Sequence, residues 1–141
     1  MGNQAHEVTA PNRFKVLGKL PSLNEYTKAC RGQNGWVAGA KMKERVEADI
    51  CWCIKSAMSW KELRKVTVPV VIHFEWHERT KRRDLDNIRF AAKFLLDALQ
   101  KMGVLPNDNP QWVRGLSDTV VYDKWDGVIV TIEPAEVQDG R

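Results

Sequence analysis

Asp84 and Asp86 stand one residue apart in the stretch KRRDLDNIRFAAKFLLDAL, residues 81–99, directly after Lys81, Arg82 and Arg83. In extended chain, residues i and i+2 point to the same side, with Cα atoms roughly 6–7 Å apart. A carboxylate pair so placed suits a hard divalent cation such as Mg²⁺, which takes a few carboxylate oxygens and fills its other positions with water and phosphate oxygens. Without a cation, two unit charges near 4 Å repel by about 4 kcal/mol at an effective dielectric of 20; a bound cation reverses the sign. The neighbouring cations can hold the phosphates. The chemistry to expect is metal-assisted phosphodiester hydrolysis, in which the metal activates water and neutralises charge growing on the phosphoryl oxygens. A structural reading competes with it. Asp is a preferred helix N-cap, and acids in a first turn are favoured by the helix dipole. DLDN taken alone fits the cap better.

The segment that must position these carboxylates reads as a helix from Asp86 to Met102, closed by Gly103 at C′. At 100° per residue, Asp86, Lys93 and Asp97 share a stripe, while Ile88, Ala91, Leu95, Leu99 and Met102 lie opposite and face the core. Phe90 and Phe94 fall close to the polar stripe, so that side should be covered, by DNA or by a second subunit. Helical side chains lean toward the N-terminus, which lets Lys93 reach toward a phosphate held near the aspartates. Its plainer role is an i,i+4 pair with Asp97, worth a few tenths of a kcal/mol.

Around that helix, FKVLGKL (14–20) reads as a short strand, and the turn-rich PSLNEYTKACRGQNGW as a long loop. Residues 40–60 carry a helical period, with Val46, Ile50, Cys53, Ile54 and Ala57 on one face. TVPVVIHFEWH (67–77) alternates as a strand, with Val70, Ile72, Phe74 and Trp76 to one side and Val71, His73, Glu75 and His77 to the other. Four residues of strand span about 13 Å, so one zinc ion cannot bridge His73 and His77. VLPNDNP forms a turn. QWVRGLSDTVVYD and GVIVTIEP close the fold as two strands joined through residues 123–126. This order predicts a single α+β domain at 12–134, a small mixed sheet packed with two main helices, between tails at 1–11 and 135–141.

Composition agrees. The 141 residues are 43% hydrophobic, enough for a core and against a disordered chain. No apolar run reaches the ~20 residues of a membrane span, and the first 13 residues lack a signal pattern, so the cytoplasm is the expected location. The net charge of +4 permits nucleic-acid binding. Three cysteines read as reduced thiols, and the six tryptophans as core and interface anchors before base-stacking platforms. Neither a Walker-type or dinucleotide glycine loop nor HExxH, paired CxxC or GxSxG occurs.

Four pieces in order, LPSLNEY (20–26), RDLDN (83–87), KFLLDAL (93–99) and the acidic turn PND (106–108), make the chain resemble the RusA family of Holliday-junction resolvases from about residue 14 to 133. These are small endodeoxyribonucleases often carried by prophages. The resemblance implies a homodimer that binds branched DNA and nicks it with Mg²⁺ or Mn²⁺, held by Asp84, Asp86 and Asp108, with Lys93 as the functional lysine. Lys93 comes seven residues after Asp86, about one helical turn beyond the family's usual place. Charge and loop position add Asn24, Arg31, Lys81, Arg82, Arg83 and Arg89 as candidate DNA contacts.

Asp108 is hard to bring to the other two aspartates within one chain. A helix from Asp86 to Met102 is about 24 Å long, and six further steps reach back at most about 20 Å. Antiparallel helices across a two-fold axis would set Asp108 of one chain near Asp86 of the other, with Phe90 and Phe94 at the seam. The alternatives are a non-catalytic DNA-binding or assembly protein on the same fold, or a nuclease acting on flaps or forks.

Overall fold

The computed structural model describes residues 10–136. Residues 1–9 and 137–141, most of the two expected tails, lie outside the described residues. The elements run β1 (Asn12–Leu17), α1 (Leu23–Arg31), α2 (Gly35–Ser59), β2 (Val70–Glu78), α3 (Leu85–Arg89), α4 (Ala92–Lys101), β3 (Val113–Tyr122) and β4 (Gly127–Pro134). The strands form one mixed sheet in the order β1-β4-β2-β3, antiparallel except for the β2–β3 pair. The fold is α+β, as expected.

The strands β3 and β4 do not pair with each other, although they follow one another in sequence; β2 lies between them. The reason is in their residues. β4, GVIVTIEP, buries Val128, Val130 and Ile132 and fits a sheet interior. β3 carries Arg114, Ser117, Asp118 and Thr119 and is at most half-buried along most of its length, which suits an edge. In β2 the expected alternation holds: Val70, Ile72, Phe74 and Trp76 are buried under the helices. His77, on the opposite face, is also buried, because Trp125 from the β3–β4 connection stacks on it at 4.1 Å between ring centroids.

The helical layer differs from expectation in two places. The segment read as a long loop contains α1. Its Ser22-Leu23-Asn24-Glu25 start is a capping box: Glu25 N–H donates to Ser22 Oγ at 3.1 Å, and Ser22 N–H to Glu25 Oε1 at 3.3 Å. Glu25 in the first turn, with Lys28 and Arg31 in the last, complements the dipole. The chain then doubles back through Asn34, at φ +56°, into α2. Gly35 is obligatory at that joint, since a Cβ there would overlap the Cys30 carbonyl. The second departure is that the helix expected over 86–102 is two helices. Between α3 and α4 the ladder tightens to i→i−3 bonds, Ala91 N–H to the Ile88 carbonyl and Lys93 N–H to the Phe90 carbonyl, both 3.3 Å. Gly103, at φ +74°, closes α4 as predicted.

The core lies between the sheet and α2 and α4, around Ile50, Ile54, Ile72, Phe74, Leu95, Leu99, Val128 and Val130. Trp36, Trp52 and Trp60 stand exposed on and beside α2, outside this core, whereas Trp76 is buried. The three cysteines are free thiols. Among the described residues no helix is long and apolar enough to cross a membrane.

Candidate functional site

The strand β2 ends at Glu78, and residues 79–84 carry the chain over the end of the sheet into α3. Asp84 occupies the N-cap of that five-residue helix with extended φ/ψ (−73°, 155°), and Asp86 follows in its first turn. Both side chains are exposed. The capping role open to Asp84 is not taken up, for its side chain makes no cap hydrogen bond. Ser22, by contrast, forms the full box at α1. Among the described residues no hydrogen bond or ion pair engages the carboxylates of Asp84, Asp86 or Asp108. Two adjacent acids thus stand at the mouth of a helix without cationic neutralisation.

The platform beneath them is held by arginines. Arg83 forks onto Glu78, Nε to Oε1 at 2.9 Å and Nη2 to Oε2 at 2.8 Å, and its Nη1 donates to the Leu20 carbonyl at 3.1 Å. Arg89, at the far end of α3, donates from Nε to Asp118 Oδ2 at 2.9 Å, and Asp118 Oδ1 accepts from Trp76 Nε1 at 2.8 Å. The bridge from Asp126 pins Arg79: Oδ1 accepts the Arg79 backbone N–H at 2.8 Å and Oδ2 its Nε at 2.9 Å. The backbone bond and then the guanidinium hold the Asp126 carboxyl below the usual range. Between these pinned points Lys81 and Arg82 form an exposed basic tip, with Lys81 Nζ 5.2 Å from the Tyr122 ring centroid. Of the cations expected to face DNA, Lys81, Arg82 and Arg31 are exposed. Arg83 is committed inward with a side chain only 13% exposed, and Arg89 is partly engaged by Asp118.

The first helix docks against this platform. Its Asn24 backbone N–H donates to Asn87 Oδ1 at 3.1 Å, so the LPSLNEY and RDLDN segments touch directly. Tyr26 packs on Phe90 at 5.4 Å and on Phe94 at 6.2 Å, and the two phenylalanines meet edge to face at 5.5 Å. This corrects the expected cover. Phe94 is 2% exposed, beneath α1 of its own chain, so neither DNA nor a second subunit is needed to shield it. The signal for that cover was the Ser22–Glu25 box, which marks a helix where the turn residues suggested a loop.

Lys93 is exposed on the first turn of α4. Its i,i+4 partner on paper, Asp97, lies instead 3.9 Å from Lys43 of α2. Asp108 rides an exposed turn shaped from both sides: Asn107 Oδ1 accepts the Asn109 N–H and Asn109 Oδ1 the Gln111 N–H, each at 3.0 Å. Among the described residues, no three carboxylate, imidazole or thiol groups of one chain converge as a metal site.

On the open sheet face, His77 Nε2 lies 2.6 Å from Glu75 Oε2 and its Nδ1 3.1 Å from Asp123 Oδ2, while His73 bonds Ser117. Asp123 therefore closes a strand-end network rather than joining Asp84 and Asp86. Two surface grooves, of about 470 and 450 Å³, lie along β1, α2 and the 62–68 segment and include none of the three aspartates. Asp84, Asp86 and Asp108 are all solvent-exposed.

No curated protein matches the chain. The family model for endodeoxyribonuclease RusA, however, matches residues 18–133, a span that takes in the Leu20 contact, the α3 aspartates, Lys93 and the Asp108 turn. The chain accordingly belongs to the RusA family of Holliday-junction endonucleases.

Proposed function

We propose that this protein is a metal-dependent endonuclease, phage or prophage encoded and working on DNA in the cytoplasm, that resolves four-way junctions by paired symmetric nicks. The observation that carries this reading is the free state of Asp84 and Asp86 on a helix start that does not use Asp84 as a cap. Their oxygens, unneutralised by any arginine, have the donor chemistry for Mg²⁺, with Mn²⁺ as a substitute. When bound, the ion activates water and offsets charge on the phosphoryl oxygens.

Asp84 and Asp86 would hold the ion. Asp108 is the third carboxylate, supplied by the partner subunit of a two-fold homodimer. The dimer seam then runs elsewhere than over Phe90 and Phe94. Lys93, free of Asp97, stabilises charge at the phosphate or leaving oxygen. Lys81, Arg82 and Arg31 track the backbone, and Asn24, in the first turn of α1, is a further contact. Arg83 and Arg89 belong to the scaffold that aims the aspartates. A two-fold dimer suits a junction whose own two-fold axis relates the paired cuts.

The test is complementation. Asp84→Asn and Asp108→Asn homodimers are each inactive, and verified heterodimers of the two regain cleavage of a labelled four-way junction in Mg²⁺. Heterodimers that stay inactive refute the shared site. Equal or faster cutting of flap and fork substrates would move the activity away from junction resolution.

A further inference from the structure

Glu78 has no part in the chemistry proposed above, yet it is the most deeply buried acid described, 3% exposed at the last position of β2. A carboxylate in that position must be paired and hydrogen-bonded to remain charged. Arg83 meets both requirements through a planar two-bond fork. The third donor of the same guanidinium takes the Leu20 carbonyl, and its Nη1 also lies 3.9 Å from Glu25 of α1. One arginine thereby joins the end of β2, the loop before α1 and the residue preceding Asp84.

At the far end of the segment 79–84, the other holds among the described residues come from α3 itself, whose Asn87 and Ile88 N–H groups bond the Asp84 carbonyl and whose Arg89 is tied to Asp118. The near end is fixed by Asp126 on Arg79. Without the Glu78 fork, Asp84 would keep its tie to α3, which Arg89 and Ile88 anchor, but would lose the hold on the residue directly before it, so the entry of the chain into Asp84 would no longer be fixed to the end of β2. Carboxylates that share an ion must be held to a fraction of an ångström, and the groups that orient them influence affinity strongly.

We propose that Glu78 is a positioning residue for the metal-binding aspartates, acting through Arg83, and that Arg83 serves this fork rather than the DNA backbone. The inference rests on the nuclease reading for its purpose but not for its test. Mn²⁺ binding to the full-length protein is followed by the EPR signal of free Mn²⁺, and junction binding is measured separately in Ca²⁺. Glu78→Gln breaks one arm of the fork and removes its charge. The expected result is a Mn²⁺ midpoint raised by about 10–100-fold, with junction affinity in Ca²⁺ within twofold of wild type. Glu78→Asp, which keeps the charge but shortens the reach, falls between them. All comparisons are made at a temperature where circular dichroism shows each variant folded.

If Arg83 is instead a DNA contact held in check by Glu78, Glu78→Gln leaves the Mn²⁺ midpoint unchanged and tightens junction binding, with a steeper salt dependence; that result overturns the proposal. If Glu78→Gln fails to fold, Glu78→Asp decides: a raised midpoint upholds the proposal and a wild-type midpoint overturns it. A wild type that takes up no Mn²⁺ overturns it too, since there is then no ion to position. A wild type that binds Mn²⁺ but cuts no DNA refutes the nuclease reading alone, and the midpoints of the variants still judge the fork.

Discussion

Truncating Phe94 to alanine tests how the platform under the aspartates is built. The ring is 2% exposed and packed edge-on to Phe90 at 5.5 Å and to Tyr26 at 6.2 Å. Its loss removes a full aromatic burial and leaves a cavity that helices joined by short links cannot close. Core Phe→Ala changes cost about 3–5 kcal/mol, and for a domain of this size that lowers Tm by roughly 10–20 °C. The pairing with Tyr26 should appear separately. A double-mutant cycle of Phe94→Leu with Tyr26→Leu should give a coupling of about 0.5–1.5 kcal/mol. Urea unfolding followed by tryptophan fluorescence, at two protein concentrations a hundredfold apart, is the assay. Because the cover comes from α1 of the same chain, the difference between variant and wild type must be the same at both concentrations, even if dimerisation shifts both midpoints. A cost below about 1 kcal/mol, well under the range for a buried ring, or a difference that grows with concentration, would refute the intrachain cover and restore a second subunit to that face.

Two further outcomes follow from the charges. Asp126 has a carboxyl pKa depressed by the Arg79 N–H and guanidinium, so its contribution to stability is present above the unfolded value of about 3.9 and is lost as pH falls through the folded pKa. Asp126→Asn should lower stability at pH 7 and flatten the acid limb below about pH 4, read by thermal melts across pH; an unchanged limb would remove Asp126 from the account. Lys81→Ala and Arg82→Ala should each weaken junction binding and reduce the slope of log K against log salt by about one phosphate contact. Unchanged slopes in titrations of both variants would take the exposed tip off the DNA.

Much of this was legible in residue patterns. The alternation of β2 named its buried face, and Ile88, Ala91, Leu95 and Leu99 identified the core side of the DLDN segment. Gly103 marked the end of α4. The splitting of one helix into α3 and α4 had no such mark, because Phe90 and Ala91 are both acceptable helix residues and only packing decides the tighter joint. The sheet order was hidden for a similar reason: strands adjacent in sequence favour a hairpin locally, while the polar content of β3 sends it to the edge. At the site, local spacing made Asp84 and Asp86 conspicuous. The arginine forks were out of reach, because Glu78 and Asp118 become partners only once the end of β2 and the middle of β3 lie beside α3. For that reason Arg83, which stands in a basic run and looks like a DNA ligand, turns out to grip a buried carboxylate.

Whether Asp84 and Asp86 serve a metal rather than a helix is decided at the DNA. Cleavage of a labelled synthetic four-way junction in Mg²⁺, comparing wild type with Asp86→Asn, tests it most directly. Wild type should make paired symmetric nicks and the variant none, with junction binding kept in both. Cutting by Asp86→Asn at the wild-type rate, or tight junction binding by wild type with no cutting in either Mg²⁺ or Mn²⁺, would contradict the metal role and return DLDN to the role of a helix start in a DNA-binding protein.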